Sequence, residues 1–283
     1  MISLNAHAKI NLSLDVLNRR EDGYHNLRMI MQTIQLHDTV NIYKIPSGVE
    51  IYCNAPYVPN NNTNIAYKAA EAVLNRFKPG AGARIEIEKR IPVAAGLAGG
   101  STDAAAVLKG INMLFELGIE QNELMQIGKT IGADVPYCIM GGTALAEGIG
   151  EKLTPLPPVD KIPVILIKPK IGVSTAWVYK RLNLEMLDER PDTDRLIDAI
   201  GKQDIKFIST NMRNVLESVT ITKYPVIGKI KKALMDSGAV GSMMSGSGPT
   251  VFGIFDDNGK AEIAYNKLNH GMNECIMTHT TQV

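Results

Sequence analysis

The chain has 283 residues, 45% of them hydrophobic, and its 30 basic side chains nearly balance its 29 acidic ones. That balance excludes the strongly positive field that nucleic acid or an anionic membrane surface would select, so any phosphate ligand must be bound locally. The three cysteines are widely spaced and no apolar run approaches the roughly 18 residues of a membrane span, which predicts a soluble cytoplasmic protein with reduced thiols and no zinc site.

The first predicted element is a strand over residues 2–16, where apolar and polar side chains alternate almost without fault. A period of two places Lys9 and Asn11 on one face, between His7 and Ser13. In an ordinary sheet such a face is solvated, whereas beside a cleft it would offer a lysine and an amide to a ligand. The alternation alone leaves both interpretations open.

Further strands are predicted at residues 29–35 and 39–44. Asn60–Asn64 has the composition of a turn and helix cap, and an amphipathic helix is predicted at Ile65–Phe77. Residues 83–89 alternate as another strand, which leads directly into a glycine-rich loop. The order strand, loop, helix is the context that an anion-binding loop requires.

The most informative segment is Pro92–Ala106, where a run of small residues joins an alanine-rich helix. Its three glycines allow backbone angles that turn several N–H groups toward one concavity, and Ser101 or Thr102 would cap the helix. The positive end of the helix dipole faces the same concavity, which favours a phosphate there. No lysine follows the glycines, so the segment is not a P-loop, and a turn that merely lets the helix pack closely is the alternative.

Alanines occupy part of this loop, at Ala94, Ala95 and Ala98. An alanine forced to positive φ costs about 1 kcal/mol. We therefore expect all three to keep ordinary backbone angles.

A second helix is predicted at Glu123–Ile131, ending at Gly132. Asp134 then stands between this helix stop and Pro136. An acid in that position is a candidate functional residue.

The proline-rich segment Leu153–Asp160 suggests a domain boundary. Beyond it, strands and helices follow one another in an order that suggests a ferredoxin-like split βαβ layer. We therefore predict an α+β protein with two domains, residues 1–157 and residues 158–283. The elements predicted in the second are strands at 163–167, 240–244 and 250–255 and helices at 175–181, 193–200, 224–237 and 260–268.

Three segments in order, Lys9–Leu12, Pro92–Ala106 and Ser245–Thr250, resemble the three motifs of the GHMP kinases, small-molecule kinases that lack a P-loop. Gly23–His25 and Gly132–Pro136 narrow the resemblance to those that act on a methylerythritol carried by a cytidine diphosphate group. The similarity runs through nearly the whole chain. It implies the two-domain GHMP kinase fold, with an N-terminal ATP-binding domain like domain 2 of ribosomal protein S5 and a ferredoxin-like C-terminal domain.

The resemblance implies transfer of the γ-phosphate of ATP to a tertiary hydroxyl, which is a crowded and poor nucleophile, so alignment and charge stabilisation must lower most of the barrier. Asp134 would accept or orient the hydroxyl proton. Lys9 would keep that carboxylate ionised and offset the charge that develops on the phosphate. Asn11 would hold the diol chain of the substrate, which turns the polar face of the first strand into an active-site wall.

For the cytosine, the resemblance implies an aromatic wall and hydrogen bonds from Tyr24 and His25, with Tyr179 on the other side. Trp177 is an alternative to Tyr179. An ordinary turn at Tyr24 and His25, and a core-packed residue at Tyr179, are the interpretations without a ligand.

For the nucleotide, Asn64 and Lys89 match positions that line the adenosine pocket. Magnesium is expected, because amides alone neutralise the β,γ-phosphates poorly. Its protein ligands stay open: Ser101 is the first candidate, and Asp103 either holds the metal or simply favours the helix start. The residues implied to wrap the phosphates are Pro92, Val93, Ala94, Ala95, Gly96, Leu97, Ala98, Gly99, Gly100, Ser101 and Thr102.

Two other functions compete with this one. A GHMP kinase for homoserine, mevalonate or a sugar would not need aromatic residues for a flat base. A nucleotide-binding regulator without transfer would not need both Lys9 and Asp134. We expect a small-molecule substrate and neither nucleic acid nor membrane as partner, and the sequence leaves the oligomeric state open.

Overall fold

A computed structural model describes residues 1–270 and 273–282. Helices and sheets occur along the whole of that length, which confirms the predicted α+β class. The strands are β1 (Ile2–Arg19), β2 (His25–Ile45), β3 (Gly48–Cys53), β4 (Gly82–Glu88), β5 (Thr143–Gly148), β6 (Lys152–Pro155), β7 (Pro163–Lys168), β8 (Gly241–Met244), β9 (Val251–Ile254) and β10 (Glu274–His279). The helices are α1 (Ile65–Phe77), α2 (Gly99–Phe115), α3 (Gln121–Ile131), α4 (Val135–Met140), α5 (Thr175–Arg181), α6 (Thr193–Gly201), α7 (Ile205–Asn211), α8 (Glu217–Lys223), α9 (Pro225–Met235) and α10 (Asn258–Leu268), with a 3-10 turn at Leu184–Met186.

The first sheet has the strand order β3-β4-β2-β5-β6, and β1 pairs with β2. The long strand β2 is antiparallel to β4 over Thr39–Ile45 and to β5 over Leu27–Gln32. The sequence predicts two strands here, but the chain continues through residues 36–38 as one strand. No glycine or proline interrupts this stretch to turn the backbone.

The second sheet has the order β10-β7-β9-β8 with every pair antiparallel. Numbered along this part of the chain, that order is fourth, first, third, second, which is the arrangement of a split βαβ layer. Helix α9 buries the predicted stripe of Ile227, Ile230 and Leu234. The ferredoxin-like prediction for this region is confirmed.

The described chain divides into two compact units. The N-terminal unit collects Met1–Ala8, Leu36–Val93 and Ala98–Gly141, and the C-terminal unit collects Lys9–Gln35, Ala94–Leu97 and Gly142 onward. Strands β1 and β2 contribute residues to both groups. The predicted division between residues 157 and 158 stays a prediction.

The core of the N-terminal unit is formed by the helices α1 to α4 together with apolar residues of β2, β3 and β4. Small residues of α2, from Ala104 to Ala106 and at Gly110, let this helix lie close to the sheet, because a Cβ on Gly110 would overlap Ile42. Alanine is also a strong helix former, so the same residues favour the helix and its close packing. Among the described residues, no helix is both long enough and apolar enough to cross a membrane.

Candidate active site

The polar face of β1 is buried, which excludes the interpretation that it is solvated. Lys9 is 5% exposed, and Asn11 and Ser13 are fully buried. The chain before α8 runs alongside β1: Leu14 donates its N–H to the Arg213 carbonyl at 2.9 Å. Lys9 Nζ donates to Asn11 Oδ1 at 2.8 Å, so the first strand presents its lysine together with its amide.

Asn11 connects this strand to the loop between β8 and β9. Its Oδ1 accepts a second hydrogen bond from the Gly246 N–H at 3.1 Å, and its Nδ2 lies 3.4 Å from Met29 Sδ. The side-chain oxygen is therefore shared between an ammonium group and a backbone amide. The role of Asn11 toward the substrate stays a prediction.

Part of the glycine-rich loop, residues 94–97, belongs to the same unit and contacts the same strand and loop. Lys9 donates its N–H to the Leu97 carbonyl at 3.2 Å, and Ser245 Oγ donates to the Gly96 carbonyl at 3.0 Å. Gly96 has φ +77°, and a Cβ there would overlap the Ser245 carbonyl oxygen. This position therefore requires glycine for two reasons: its positive φ, and its close approach to the backbone of Ser245.

The backbone angles of the loop alanines correct one prediction. Ala94 and Ala98 have φ 51° and 60°, in the left-handed region, whereas Ala95 does not. Each left-handed alanine costs roughly 1 kcal/mol, which the hydrogen bonds of the surrounding loop and helix must offset. Such strain is common where backbone amides are arranged for a ligand.

The start of α2 corrects a second prediction. The N-cap is Ala98, which has no side-chain cap hydrogen bond, and α2 begins at Gly99 rather than after Ser101 or Thr102. Thr102 Oγ1 instead donates to the His7 carbonyl at 2.7 Å. The N–H groups of the first turn have no partner within the helix, so α2 presents donors and the positive end of its dipole at the loop.

Beneath this helix start lies a buried ionic cluster of Lys89, Asp38 and Asp103. Lys89 Nζ donates to Asp38 Oδ2 and, at 2.8 Å, to Asp103 Oδ2, and all three side chains are buried. Asp38 Oδ1 accepts the N–H groups of Arg90 and Ile91 at 2.6 and 2.8 Å. The cluster thus joins β2, the chain after β4 and α2.

The charges of this cluster do not balance if every group is ionised. Burial, opposed in part by the Lys89 charge, raises the pKa of the Asp103 carboxyl to about 8. Burial lowers the pKa of Lys89, but the charges of Asp103 and Asp38 outweigh it and leave that pKa raised. Asp103 Oδ1 has no hydrogen-bond partner among the described residues. We assign a protonated Asp103 and an ionised Lys89 at neutral pH.

Two predicted residues take local structural positions in the N-terminal unit. Asn64 caps α1, because its Oδ1 accepts the Ala66 N–H at 2.9 Å. Asp134 precedes α4 and is half-buried, and its own side chain makes no capping bond. The turn before α4 closes with the Val135 N–H donating to the Gly132 carbonyl at 3.1 Å.

The structure brings together two of the residues predicted to hold a cytosine. The rings of His25 and Tyr179 have centroids 5.3 Å apart and are tilted by 33°. Burial, followed by the charge of Arg19, lowers the pKa of the His25 ring below its ordinary value. Tyr24 is 62% exposed. Trp177 instead lies against Tyr224, with ring centroids 6.4 Å apart.

Sequence reasoning missed Asp38 and Asn214. Asp38 lies at the join of two strands that were predicted separately, and Asn214 belongs to no motif. Asn214 Nδ2 donates to the carbonyls of Met244 and Gly246. The sequence does not signal either residue, because Lys89, the partner of Asp38, and the two carbonyls that bind Asn214 Nδ2 lie far away along the chain.

Residues 64–142 match the family described as GHMP kinases N terminal domain, and residues 196–274 match the one described as GHMP kinases C terminal. The chain is 58% identical over 279 residues to 4-diphosphocytidyl-2-C-methyl-D-erythritol kinase of Acetivibrio thermocellus, with 99% of both chains covered. It is 53% identical over 280 residues to the kinase of the same name from Clostridium botulinum strain Eklund 17B, covering 99% of this chain and 100% of the other.

Solved structures agree. A crystal structure of 4-(cytidine 5'-diphospho)-2C-methyl-D-erythritol kinase aligns with a TM-score of 0.87 and 31% identity over 100% of both chains. Homoserine kinase from Cytophaga hutchinsonii aligns with a TM-score of 0.76 over 99% of this chain and 94% of that one, but at 19% identity it shows the fold alone. The two family matches, together with the 58% identity to a kinase that covers 99% of the chain, show that the chain belongs to the GHMP kinases.

Proposed function

We propose that this chain transfers the γ-phosphate of ATP to the 2-hydroxyl of 4-diphosphocytidyl-2-C-methyl-D-erythritol, giving the 2-phosphate and ADP. The observation that carries this proposal is 58% and 53% identity, along nearly the whole chain, to two kinases named for that substrate. The reaction belongs to the non-mevalonate route to isoprenoid precursors. Homoserine and mevalonate kinases share the fold at 19% and 14% identity, which gives no support for homoserine or mevalonate as the substrate of this chain.

A substrate panel tests this function. Purified protein with ATP and magnesium is given the cytidyl substrate, homoserine, mevalonate and a bare polyol, and ADP release is followed with ³¹P NMR of the product. We expect turnover of the cytidyl compound alone. Preferred turnover of homoserine or mevalonate would overturn the substrate, and nucleotide binding without any turnover would favour a regulator.

For the nucleotide, we propose that the loop Pro92–Thr102 binds the phosphates through its backbone N–H groups and through the positive end of α2. The uncapped first turn of α2 supports this, since its donors are left for a ligand. We keep Asn64 and Lys89 as residues that line the adenosine pocket. Asn64 is bonded to the start of α1 and Lys89 to two carboxyl groups. We therefore expect these two residues to shape the pocket rather than to offer free polar groups to the adenosine.

Magnesium would accompany ATP and neutralise charge on its β,γ-phosphates. Among the described residues, no group of three or more His, Cys, Asp or Glu side chains could hold an ion by itself, so the phosphates would supply much of the coordination. The hydroxyl of Ser101, in the first turn of α2, fits as the protein's contribution. Asp103 does not fit, because its carboxyl is buried and bound to Lys89.

For the chemical step, we propose that Asp134 accepts or orients the proton of the 2-hydroxyl and that Lys9 stabilises charge on the transferred phosphate. Lys9 is bound to a neutral carboxamide oxygen within its own unit, which leaves its positive charge available to an anion. The half-buried carboxyl of Asp134 makes no capping bond that would occupy it.

The variant Asp134→Asn separates binding from chemistry. We expect nearly unchanged ATP affinity and a kcat lower by about 10²–10⁴, the usual contribution of a positioned acid or base. The matched control is Asp257→Asn, because Asp257 caps α10 and an asparagine can make the same bond. An unchanged kcat in Asp134→Asn would remove this residue as the base.

At the other end of the substrate, we propose that His25 and Tyr179 enclose the cytosine, with Tyr24 beside them. The contact between the first two rings supports Tyr179 over Trp177. His25→Ala should raise the KM for the cytidyl substrate more than it lowers kcat, because the base is remote from the reacting oxygen. Trp177→Ala is the control, and a larger KM effect in it than in His25→Ala would move the pocket.

A further inference from the structure

Asn214 occupies a position between α7 and α8 where every polar atom of its carboxamide is used. It is 5% exposed. Its Nδ2 donates to the carbonyls of Met244 and Gly246 at 2.8 and 2.7 Å, and its Oδ1 accepts the Leu216 N–H at 3.0 Å. A buried amide with this many short bonds holds the backbone that it contacts in one geometry.

The backbone that Asn214 holds leads directly to Lys9. Gly246 offers its carbonyl to Asn214 and its N–H to Asn11, at 3.1 Å, and the same Asn11 oxygen accepts the Lys9 ammonium at 2.8 Å. Gly246 has φ +57°, and a Cβ added there would lie 3.6 Å from Lys9 Nζ. A shift of Gly246 therefore changes both the partner and the immediate surroundings of the ammonium group.

We propose that Asn214 is a positioning residue for phosphoryl transfer: it fixes Gly246, so that Asn11 holds Lys9 in the geometry that the reaction needs. The inference rests on the proposed role of Lys9. Asn214 acts only through other residues, because its side chain is consumed by three backbone groups. Its loss should therefore affect the chemical step more than the binding of either substrate.

Glu217 provides an independent reference in the same region. Its Oε1 accepts the Met244 N–H at 2.7 Å and its Oε2 accepts from Lys231 Nζ at 2.5 Å, so it anchors β8 through Met244, whereas Gly246 is bonded to Asn11 and Asn214. A role confined to stability predicts that Asn214 and Glu217 variants behave alike. A positioning role predicts that both variants lose stability but that only the Asn214 variant also loses kcat while it is folded.

The experiment compares Asn214→Ala with Asn211→Ala, whose side-chain amide donates to the Phe207 carbonyl and to Thr210 Oγ1 within α7. We expect kcat on the cytidyl substrate to fall by about 10- to 100-fold in Asn214→Ala, as for a misplacement of about 1 Å. The KM values for ATP and for the substrate should stay within about threefold, since the side chain touches neither ligand. Asn211→Ala should keep the kcat of the parent.

The decisive measurement is a double-mutant cycle. In an Asn11→Ala background the link to Lys9 is already cut, so adding Asn214→Ala should lower kcat little further. Full additivity in kcat, an unchanged kcat in folded Asn214→Ala, or equal kcat losses in Asn214→Ala and Glu217→Gln would each overturn the inference. If the alanine variant does not fold, Asn214→Ser, which keeps one donor, is put through the same cycle. Failure of the parent protein to phosphorylate the cytidyl substrate would contradict the proposed function, a result distinguishable from failure of this inference.

Discussion

The two units hold their key lysines by opposite means. In the N-terminal unit Lys89 is buried between the carboxyls of Asp38 and Asp103, and one oxygen of Asp103 has no hydrogen-bond partner in the described part of the chain. In the C-terminal unit Lys9 is bound to the neutral side-chain oxygen of Asn11. An ion pair with buried carboxyls joins three segments of the chain, but it offsets the charge of the lysine and costs desolvation energy. A neutral amide orients a lysine and leaves its charge for a phosphate.

The largest expected effect separates the two lysines. Lys89→Met should lower the free energy of unfolding by about 3–5 kcal/mol, because it leaves two buried carboxyls without their cation. Lys9→Met should cost far less stability, since Asn11 keeps its bond to Gly246, yet it should remove most of the turnover. Urea unfolding and kcat measured on both variants check this pair. Similar losses of stability in the two would contradict the comparison.

Two glycines sharpen the same contrast. Gly96→Ala combines a positive φ with overlap of a backbone oxygen in the C-terminal unit, so the loop must move and kcat should fall with stability. Gly99→Ala adds a Cβ 3.1 Å from the ion-paired Lys89 Nζ and 3.2 Å from Ile91 Cγ2, and the helix preference of alanine over glycine, about 1 kcal/mol, opposes this crowding. We expect Gly99→Ala to unfold at a urea concentration near that of the parent. A greater loss in Gly99→Ala than in Gly96→Ala would be inconsistent with these contacts.

The smallest expected effect is a dependence on pH. The pKa of Asp103 is about 8 in the folded chain, above its ordinary value of 3.8, so between these values the folded state holds a proton that the unfolded state releases. The contribution of Asp103 to stability is therefore largest at acid pH and is lost as the pH rises toward 8.

The measurement is the difference in the free energy of unfolding between the parent and Asp103→Asn, taken from pH 5 to pH 8. That difference should shift in favour of Asp103→Asn as the pH rises, because asparagine does not titrate. Asn11→Ala, from the neutral network, should give no such shift relative to the parent. A constant difference between the parent and Asp103→Asn would show that Asp103 is already ionised at low pH in the folded chain.

Several features of the molecule could be predicted because local chemistry decides them. Helix α1 begins after Asn64 and ends at Phe77 as predicted, since a capping amide and an apolar stripe lie within one short segment. The order of strands and helices after residue 160 predicted the split βαβ layer, because few topologies satisfy short connections. The three motifs likewise indicate the GHMP kinases, because each lies within a few consecutive residues.

Other features were decided by tertiary structure alone. The positive φ of Ala94 and Ala98 contradicts the intrinsic preference of alanine, which the surrounding loop overrides. Asn11 meets Gly246 across 235 residues of sequence, and Lys89 meets Asp38 across 51. By itself the sequence determined which segments form helices and strands and which family they belong to, because propensity, capping and periodicity act over a few neighbouring residues. Whether a lysine is paired with carboxyl groups, as Lys89 is, or with a neutral amide, as Lys9 is, depends on partners that only the folded chain brings within hydrogen-bonding distance.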